Sequence, residues 1–392
     1  MSPFCVSPPK KVMVEASVLD GTLVSALRRN LPDAAFQVWD KVPQTTEFDP
    51  GRLDVIQYRG RFLRPCPGTR NYLCCGYQIL HFGTQCSLDC SYCILQAYLQ
   101  EPNLRLFGNT GDLLREADEV LRRNPETLYR VGTGEFTDSL LLDLWTEFSR
   151  LVVPYFAGRP NAVLELKTKT PFVRNLEGLD HGGNTIVAWS LNAEAVCRRE
   201  EPRAASLSRR LEAARRVADW GYRLAFHFDP MIVHPGWREG YLEVLHRLFD
   251  AVDPAAVVWI SLGAFRFMPS LKPVLQSRHP HTKIASGEFI RGLDGKMRYF
   301  RDIRVELYAP MVDAIRRIDP SLCVYLCMES PDIWRETFGF SPEDRGGLPR
   351  MLDRAVQDRM GIGTACRRSA GEQREVLSGR EGVLDGIYSS GT

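Results

Sequence analysis

The chain has 392 residues, 44% of them hydrophobic and 25% charged, with a formal net charge of +2. That length supports one large domain with appendages or two modest ones, and the near-neutral balance leaves any nucleic-acid surface to a local patch. No apolar run approaches the roughly 20 residues that a bilayer-spanning helix needs, and the opening Met1-Ser-Pro-Phe-Cys-Val6 lacks the order of a secretory signal, so a cytoplasmic protein without membrane association is expected.

Residues 1 to about 60 carry several prolines and no recognisable motif. Spaced apolar positions between Val18 and Leu31 predict a short helix, and Asp54 to Tyr58 with Arg61 to Leu63 read as a small hairpin. A turn-rich stretch from Arg64 to Tyr77 holds Cys66, Cys74 and Cys75. Free cysteines are often small buried hydrophobes; a second metal site using Cys66 and one of the vicinal pair is the alternative.

Next, an apolar stretch from Tyr77 to Gly83 predicts a strand, and it runs into Cys86-Ser-Leu-Asp-Cys90-Ser-Tyr-Cys93, a C-x3-C-x2-C loop. Eleven cysteines, three of them crowded into this loop, point to metal chemistry in a reducing compartment. Four thiolates normally close a [4Fe–4S] site, so a loop offering three leaves one iron open to a small molecule. Zinc, which also takes thiolates, is the competing occupant. It requires a fourth ligand in tetrahedral geometry, which Cys66, Cys74 or Cys75 would have to supply.

Beyond the loop, β-like and amphipathic segments alternate. A helical turn at Ile94 to Leu99 and the segment Leu104 to Phe107 precede a helix near 112–123; Tyr129 to Val131 is a strand ending in Gly132-Thr-Gly-Glu135. A helix from about Ser139 to Pro154, strands at Ala162 to Lys167 and Thr185 to Ser190, and a helix from Leu207 to Trp220 closed by Gly221 follow. The series continues with a strand over Tyr222 to Phe228, a helix near 240–250 and a strand over Val257 to Leu262. Alternation of this kind predicts parallel β/α units with right-handed crossovers. Further on come helices near 271–278 and 305–318 and a strand over Leu322 to Cys327, while the stretch from about Gly361 reads as frayed.

Chemistry in β/α barrels gathers at the C-terminal ends of strands, and several polar residues fall there. Glu135 ends the second strand, where a carboxylate can accept hydrogen bonds from an ammonium. Lys169 follows the third strand. Ser190 and Asn192 end the fourth, suited to ribose hydroxyls or to helix capping. His227 and Asp229 end the fifth and share one face of their strand.

The C-x3-C-x2-C loop with an aromatic before its last cysteine resembles the radical S-adenosylmethionine superfamily. That resemblance implies a [4Fe–4S] cluster on Cys86, Cys90 and Cys93 that cleaves S-adenosylmethionine reductively to a 5′-deoxyadenosyl radical. It also implies a partial (β/α)6 barrel with N- and C-terminal extensions, divided as 1–74, 75–330 and 331–392. Within the superfamily, the segments Cys90 to Gln96, Trp189 to Asn192, Arg210 to Ala218 and Gly236 to Tyr241 resemble the spore photoproduct lyase family, as do Arg266-Phe267 and Lys272 to Leu275. The resemblance runs from about residue 75 to 325 and implies a DNA-lesion lyase served by a reductase, flavodoxin or ferredoxin. Glu135, Lys169, Ser190 and Asn192 would then bind the cofactor, Tyr92 would serve as a relay tyrosine, and Arg298 and Tyr299 would lie near the substrate. Arg266, Arg298 and Arg301 are the phosphate contacts expected if the substrate is DNA.

Two departures from the family pattern stand out. The family's hydrogen-donating cysteine lies where this chain has Gly134-Glu135-Phe136, and the family's tyrosine after the third cluster cysteine is Ile94. Cys323 and Cys327 are the substitute donors the sequence offers. The alternative functions are a radical enzyme acting on a small molecule, peptide or RNA, and a non-catalytic nucleic-acid-binding protein stapled by metal.

Overall fold

The computed structural model describes residues 6–69 and 71–363. In chain order its strands are β1 (Lys11–Glu15), β2 (Ala35–Trp39), β3 (Arg52–Ile56), β4 (Leu63–Pro65), β5 (Gln78–Leu80), β6 (Gly83–Thr84), β7 (Leu104–Phe107) and β8 (Tyr129–Gly132). They continue with β9 (Ala162–Thr168), β10 (Thr185–Ser190), β11 (Arg223–Met231), β12 (Val257–Ala264), β13 (Arg266–Phe267), β14 (Ile290–Arg291), β15 (Met297–Arg298) and β16 (Cys323–Leu326).

The main sheet runs β16-β12-β11-β10-β9-β8-β5-β4. From β5 to β16 every neighbouring pair is parallel, and only β4 joins antiparallel, on β5. Sequential β/α units laid side by side in this way form the expected partial barrel. Both faces of a parallel sheet are covered, which is why β10 and β12 are buried at every position and read as unbroken apolar runs.

The crossover helices obey the same logic. Leu207–Asp219 buries Leu207, Leu211, Ala214 and Val217 on one stripe; Ser206 caps it by accepting the Arg209 N–H, and Gly221 turns the chain at φ 89°. The segment expected as one helix over 139–154 is two, Asp143–Thr146 and Phe148–Ala157, broken at Glu147 with φ 53°. The buried Asp143 carboxylate takes the Ser149 N–H at 2.8 Å and its hydroxyl at 2.7 Å, which starts the second helix afresh.

A further expectation is corrected. Residues 54–63 do not make a hairpin: β3 lies in a separate sheet of order β2-β1-β3-β7-β6, and β4 pairs with β5 instead. Leu104–Phe107 pairs parallel with β3 in that N-terminal sheet. Short apolar strands carry no address, so the sequence pattern could not choose between two sheets.

At the C-terminal side, helix Leu348–Met360 packs along the barrel wall. Its Asp353 accepts the Arg130 Nε–H from β8 at 2.9 Å, while Arg130 Nη2 donates to the Cys75 carbonyl at 2.7 Å. The expectation of fraying beyond Gly361 falls, from residue 364, outside the described residues. Among the described residues no helix is long and apolar enough to cross a membrane.

Candidate active site

The cysteine loop follows β5 and β6. Two residues with left-handed backbone, Gln85 at φ 73° and Asp89 at φ 53°, fold it back on itself. The sulfurs of Cys86 and Cys93 receive backbone N–H groups from Leu88 and Leu95, and Cys90 is buried. Burial pushes all three thiols up, while the positive charge of Lys169 acts on Cys90 and Cys93 in the opposite direction. Inside the loop the Ser87 hydroxyl is buried with no hydrogen-bond partner among the described residues.

The loop is tied down from outside. The Tyr92 hydroxyl donates to Glu201, which also receives the guanidinium of buried Arg210, and Ser91 donates to Glu200. Burial works to raise the Glu201 carboxyl, but Arg210, Lys169 and Tyr92 together hold it below the usual carboxylate range. Arg210 Nη1 also donates to the Ser190 carbonyl at 2.9 Å, joining the loop to the end of β10. Arg278 reaches Asp89 at 2.8 Å.

These features fit a thiolate-bound cluster: three thiols on one short loop, amide donors on the sulfurs of Cys86 and Cys93, a lysine beside Cys90 and Cys93, and one orphaned hydroxyl. A cubane takes its thiolates on separate irons.

Next to the loop lies a cavity inside the barrel. Cys66 and Tyr77 from its wall pack on the same apolar group, Ile79, Leu95 and Phe136, as Cys86 and Cys93. Three polar constellations line it. Lys167 Nζ donates to Glu135 Oε1 at 2.7 Å; burial works to lower the lysine's pKa, but Glu135 and Glu165 outweigh it and keep the ammonium charged. His227 bonds Glu165 at 3.0 Å through Nε2 and Ser261 at 2.7 Å through Nδ1. Arg266 forks onto both oxygens of Asp229 at 3.0 and 3.1 Å.

Four cysteines share this wall: Cys66, Cys74, Cys75 and Cys327. Burial pushes the Cys66 thiol up to about 12. Cys74 goes the other way, to about 6, because the Cys75 S–H donates to it; amide N–H groups and Arg130 add to that pull against the opposing effect of burial. Cys75 is correspondingly raised.

The residues predicted from sequence divide. Glu135 and Ser190 line the cavity, and Lys169 stands by the loop, its ammonium 5.7 Å from the Tyr92 ring centroid. Asn192 is 1% exposed; its amide donates to the Pro230 carbonyl at 2.9 Å and its oxygen accepts the Tyr241 hydroxyl at 2.7 Å. Arg298 is not open to phosphate, being 2% exposed and bonded to Asp294 at 2.7 Å and the Met328 carbonyl at 3.0 Å. The Tyr299 hydroxyl accepts the Val233 N–H at 3.2 Å and its ring stacks on Phe289. Arg266 is committed to Asp229; Arg301, exposed, pairs with Glu336. Cys327 reaches the cavity, and Cys323, at the opposite end of β16, is not among its lining residues. Ile94 is exposed at the start of helix Leu95–Tyr98.

Lys167 and Glu165 went unnoticed in the sequence although the signal was present. In Glu165-Leu-Lys-Thr-Lys169 charges recur at every second position of an apolar strand, and alternation turns them to one side.

The sequence profile of the spore photoproduct lyase family matches residues 74–301, more than half of the chain. The chain belongs to the spore photoproduct lyase family. It is 28% identical to spore photoproduct lyase of Bacillus subtilis (strain 168) over 292 residues, covering 71% of this chain and 85% of the relative. Identity to spore photoproduct lyase of Geobacillus sp. (strain Y412MC61) is 29% over 343 residues, 82% of this chain and 98% of that one. Among solved structures, a spore photoproduct lyase double mutant with bound AdoMet and dinucleoside spore photoproduct superposes with a TM-score of 0.71 at 24% identity. It covers 83% of this chain and all of its own, and a second structure, the lyase complexed with dinucleoside spore photoproduct, gives 0.70. Membership makes this chain a lyase of the radical SAM type.

Proposed function

We propose that this protein repairs a DNA lesion of the spore-photoproduct type, using a [4Fe–4S] cluster on Cys86, Cys90 and Cys93 and S-adenosylmethionine as cofactors. One observation carries the proposal: a loop of three sheltered thiols, two with amide donors on their sulfurs, packs directly against a polar cavity at the strand ends. When bound, the cluster and S-adenosylmethionine supply a 5′-deoxyadenosyl radical at that junction.

The chain's own residues do the holding. Glu135 exchanges its Lys167 partner for the methionine ammonium, a charge-assisted bond of the same kind. Lys169, beside Cys90 and Cys93, meets the methionine carboxylate and offsets the negative charge of the thiolates. Ser190 contributes a hydroxyl for the ribose. Tyr92, anchored on Glu201, is the relay tyrosine of the loop. Arg266 shapes the wall through its bonds to Asp229, and Asn192, Arg298 and Tyr299 are occupied by bonds within the protein, so Arg301 and other exposed basic residues receive the phosphates. Residues 75–330 carry the chemistry, with the flanks 1–74 and 331–392 supporting it, and a flavodoxin- or ferredoxin-class protein delivers electrons.

Support from the relatives lies in what they are described as binding, AdoMet and dinucleoside spore photoproduct. The test is anaerobic reconstitution followed by dithionite. Bound iron of about four per chain, 5′-deoxyadenosine, and thymine from dinucleoside spore photoproduct are expected, with Cys90→Ala giving none of them. Deoxyadenosine without thymine would move the substrate to a small molecule, peptide or RNA. A colourless protein carrying one zinc would overturn the enzyme reading.

A further inference from the structure

Cleaving the lesion leaves a carbon-centred radical on the product, and the reaction closes only when that carbon gains a hydrogen atom. A carbon radical takes hydrogen most readily from the weakest bond to hydrogen within reach, and among side chains that is the thiol S–H. The end of β8 offers none, since Gly134, Glu135 and Phe136 carry no sulfur, and an added Cβ at Gly134 would fall 2.8 Å from that of Lys167. Four cysteines outside the cluster loop nevertheless line the cavity.

They are not equivalent. Cys66, Cys74 and Cys75 sit on the turn-rich segment between β4 and β5. Cys327 immediately follows β16, at a strand end of the barrel, where a reacting group is held most rigidly. Its sulfur receives Arg266 Nη2 at 3.4 Å, and Arg266 is itself locked by its two bonds to Asp229. The backbone N–H of Cys327 is fixed by the Leu262 carbonyl at 2.8 Å. Two residues earlier, Tyr325 lines the same cavity.

We infer that Cys327 is the hydrogen-atom donor of this enzyme, taking the place of a thiol at the end of β8. The inference rests on the function proposed above. In the step, the Cys327 S–H bond breaks homolytically and a C–H bond forms on the product, moving one proton and one electron together. A thiyl radical stays on Cys327, and one electron from the flavodoxin- or ferredoxin-class donor with a proton from water restores the thiol.

Protonation agrees with the geometry. Burial and Asp229 hold the Cys327 thiol above its ordinary value against the pull of Arg266, whereas the Cys75 S–H pulls Cys74 the other way.

The test is repair of dinucleoside spore photoproduct in deuterated water, where thiols exchange to S–D. The unaltered protein should place solvent deuterium in the thymine it makes. Cys327→Ser should lose that deuterium and most of the thymine, while still binding the dinucleoside in the unreconstituted state and still releasing 5′-deoxyadenosine. Cys66→Ser and Cys323→Ser should keep the label. Undiminished deuterium in thymine made by Cys327→Ser overturns the assignment, as does loss of the label in Cys66→Ser instead. Release of 5′-deoxyadenosine needs only the cluster and S-adenosylmethionine, so its absence from the unaltered protein would count against the proposed function and not against Cys327.

Discussion

The loop thiols Cys86, Cys90 and Cys93 and the wall sulfurs Cys66, Cys74, Cys75 and Cys327 are half-buried or, at Cys90, buried, and the two sets adjoin where Cys66, Cys86 and Cys93 meet Ile79, Leu95 and Phe136. Their neighbours differ. Around the loop stand amide donors and a lysine, all favouring negative sulfur against the cost of burial. Along the wall the sulfurs are matched with one another and with Asp229–Arg266, so Cys74 is drawn down by Cys75 while Cys66, Cys75 and Cys327 are pushed up. Thiol chemistry is set by what surrounds the sulfur, not by the cysteine. A loop that gathers donors is prepared for metal; a wall that keeps S–H bonds intact is prepared for hydrogen.

The largest effect expected from this contrast is all-or-none. Cys90→Ala should abolish iron uptake, read as bound iron and visible absorbance after anaerobic reconstitution, whereas Cys74→Ala should leave both intact. Iron retained without Cys90 would erase the distinction between the two sets.

The second concerns pH. Cys74 is depressed from an ordinary 9.0 to about 6, so contacts to its thiolate are fully present above the unfolded value and are lost as the pH falls through about 6. Iodoacetamide should therefore label Cys74 with a midpoint near pH 6, while Cys66, at about 12, stays unlabelled through neutrality. Peptide mass spectrometry reads both sites, and a Cys74 midpoint near 9 would remove the wall's asymmetry.

Third, the loop depends on a buried ion pair. Glu201→Gln leaves Arg210 charged and unpaired at 0% side-chain exposure, which should cost about 3–5 kcal/mol in urea unfolding. Smallest is Arg301→Ala, at an exposed pair. Stability should move by no more than about 0.5 kcal/mol, while DNA affinity falls and its salt slope drops by about 1.

Much of this arrangement could be read from the sequence, because its signals are local. The β/α alternation predicted the parallel order from β5 to β16, and the spacing of Cys86, Cys90 and Cys93 predicted the loop. Non-local facts were not legible. Nothing in Leu104 to Phe107 says which sheet it joins, and nothing in Asn192 or Arg298 says that Tyr241 and Asp294 will occupy them. Side chains were assigned to ligands by type, yet a buried polar group must satisfy itself within the protein first, and only the folded partner list reveals which ones already have. Cys323 and Cys327 look alike in sequence; their positions at opposite ends of β16 separate them.

The N-terminal sheet carries one more consequence. Strand β6 stands immediately before the cysteine loop and β7 shortly after it, and they pair with each other and, through β7, with β3. Both ends of the metal-gripping turn are thus stitched into the sheet that the first 60 residues build. Deleting that lead segment would not trim an ornament; it would unpick the hem from which the sulfurs hang, and a shortened chain starting near residue 75 should come off a column pale however carefully air is kept out.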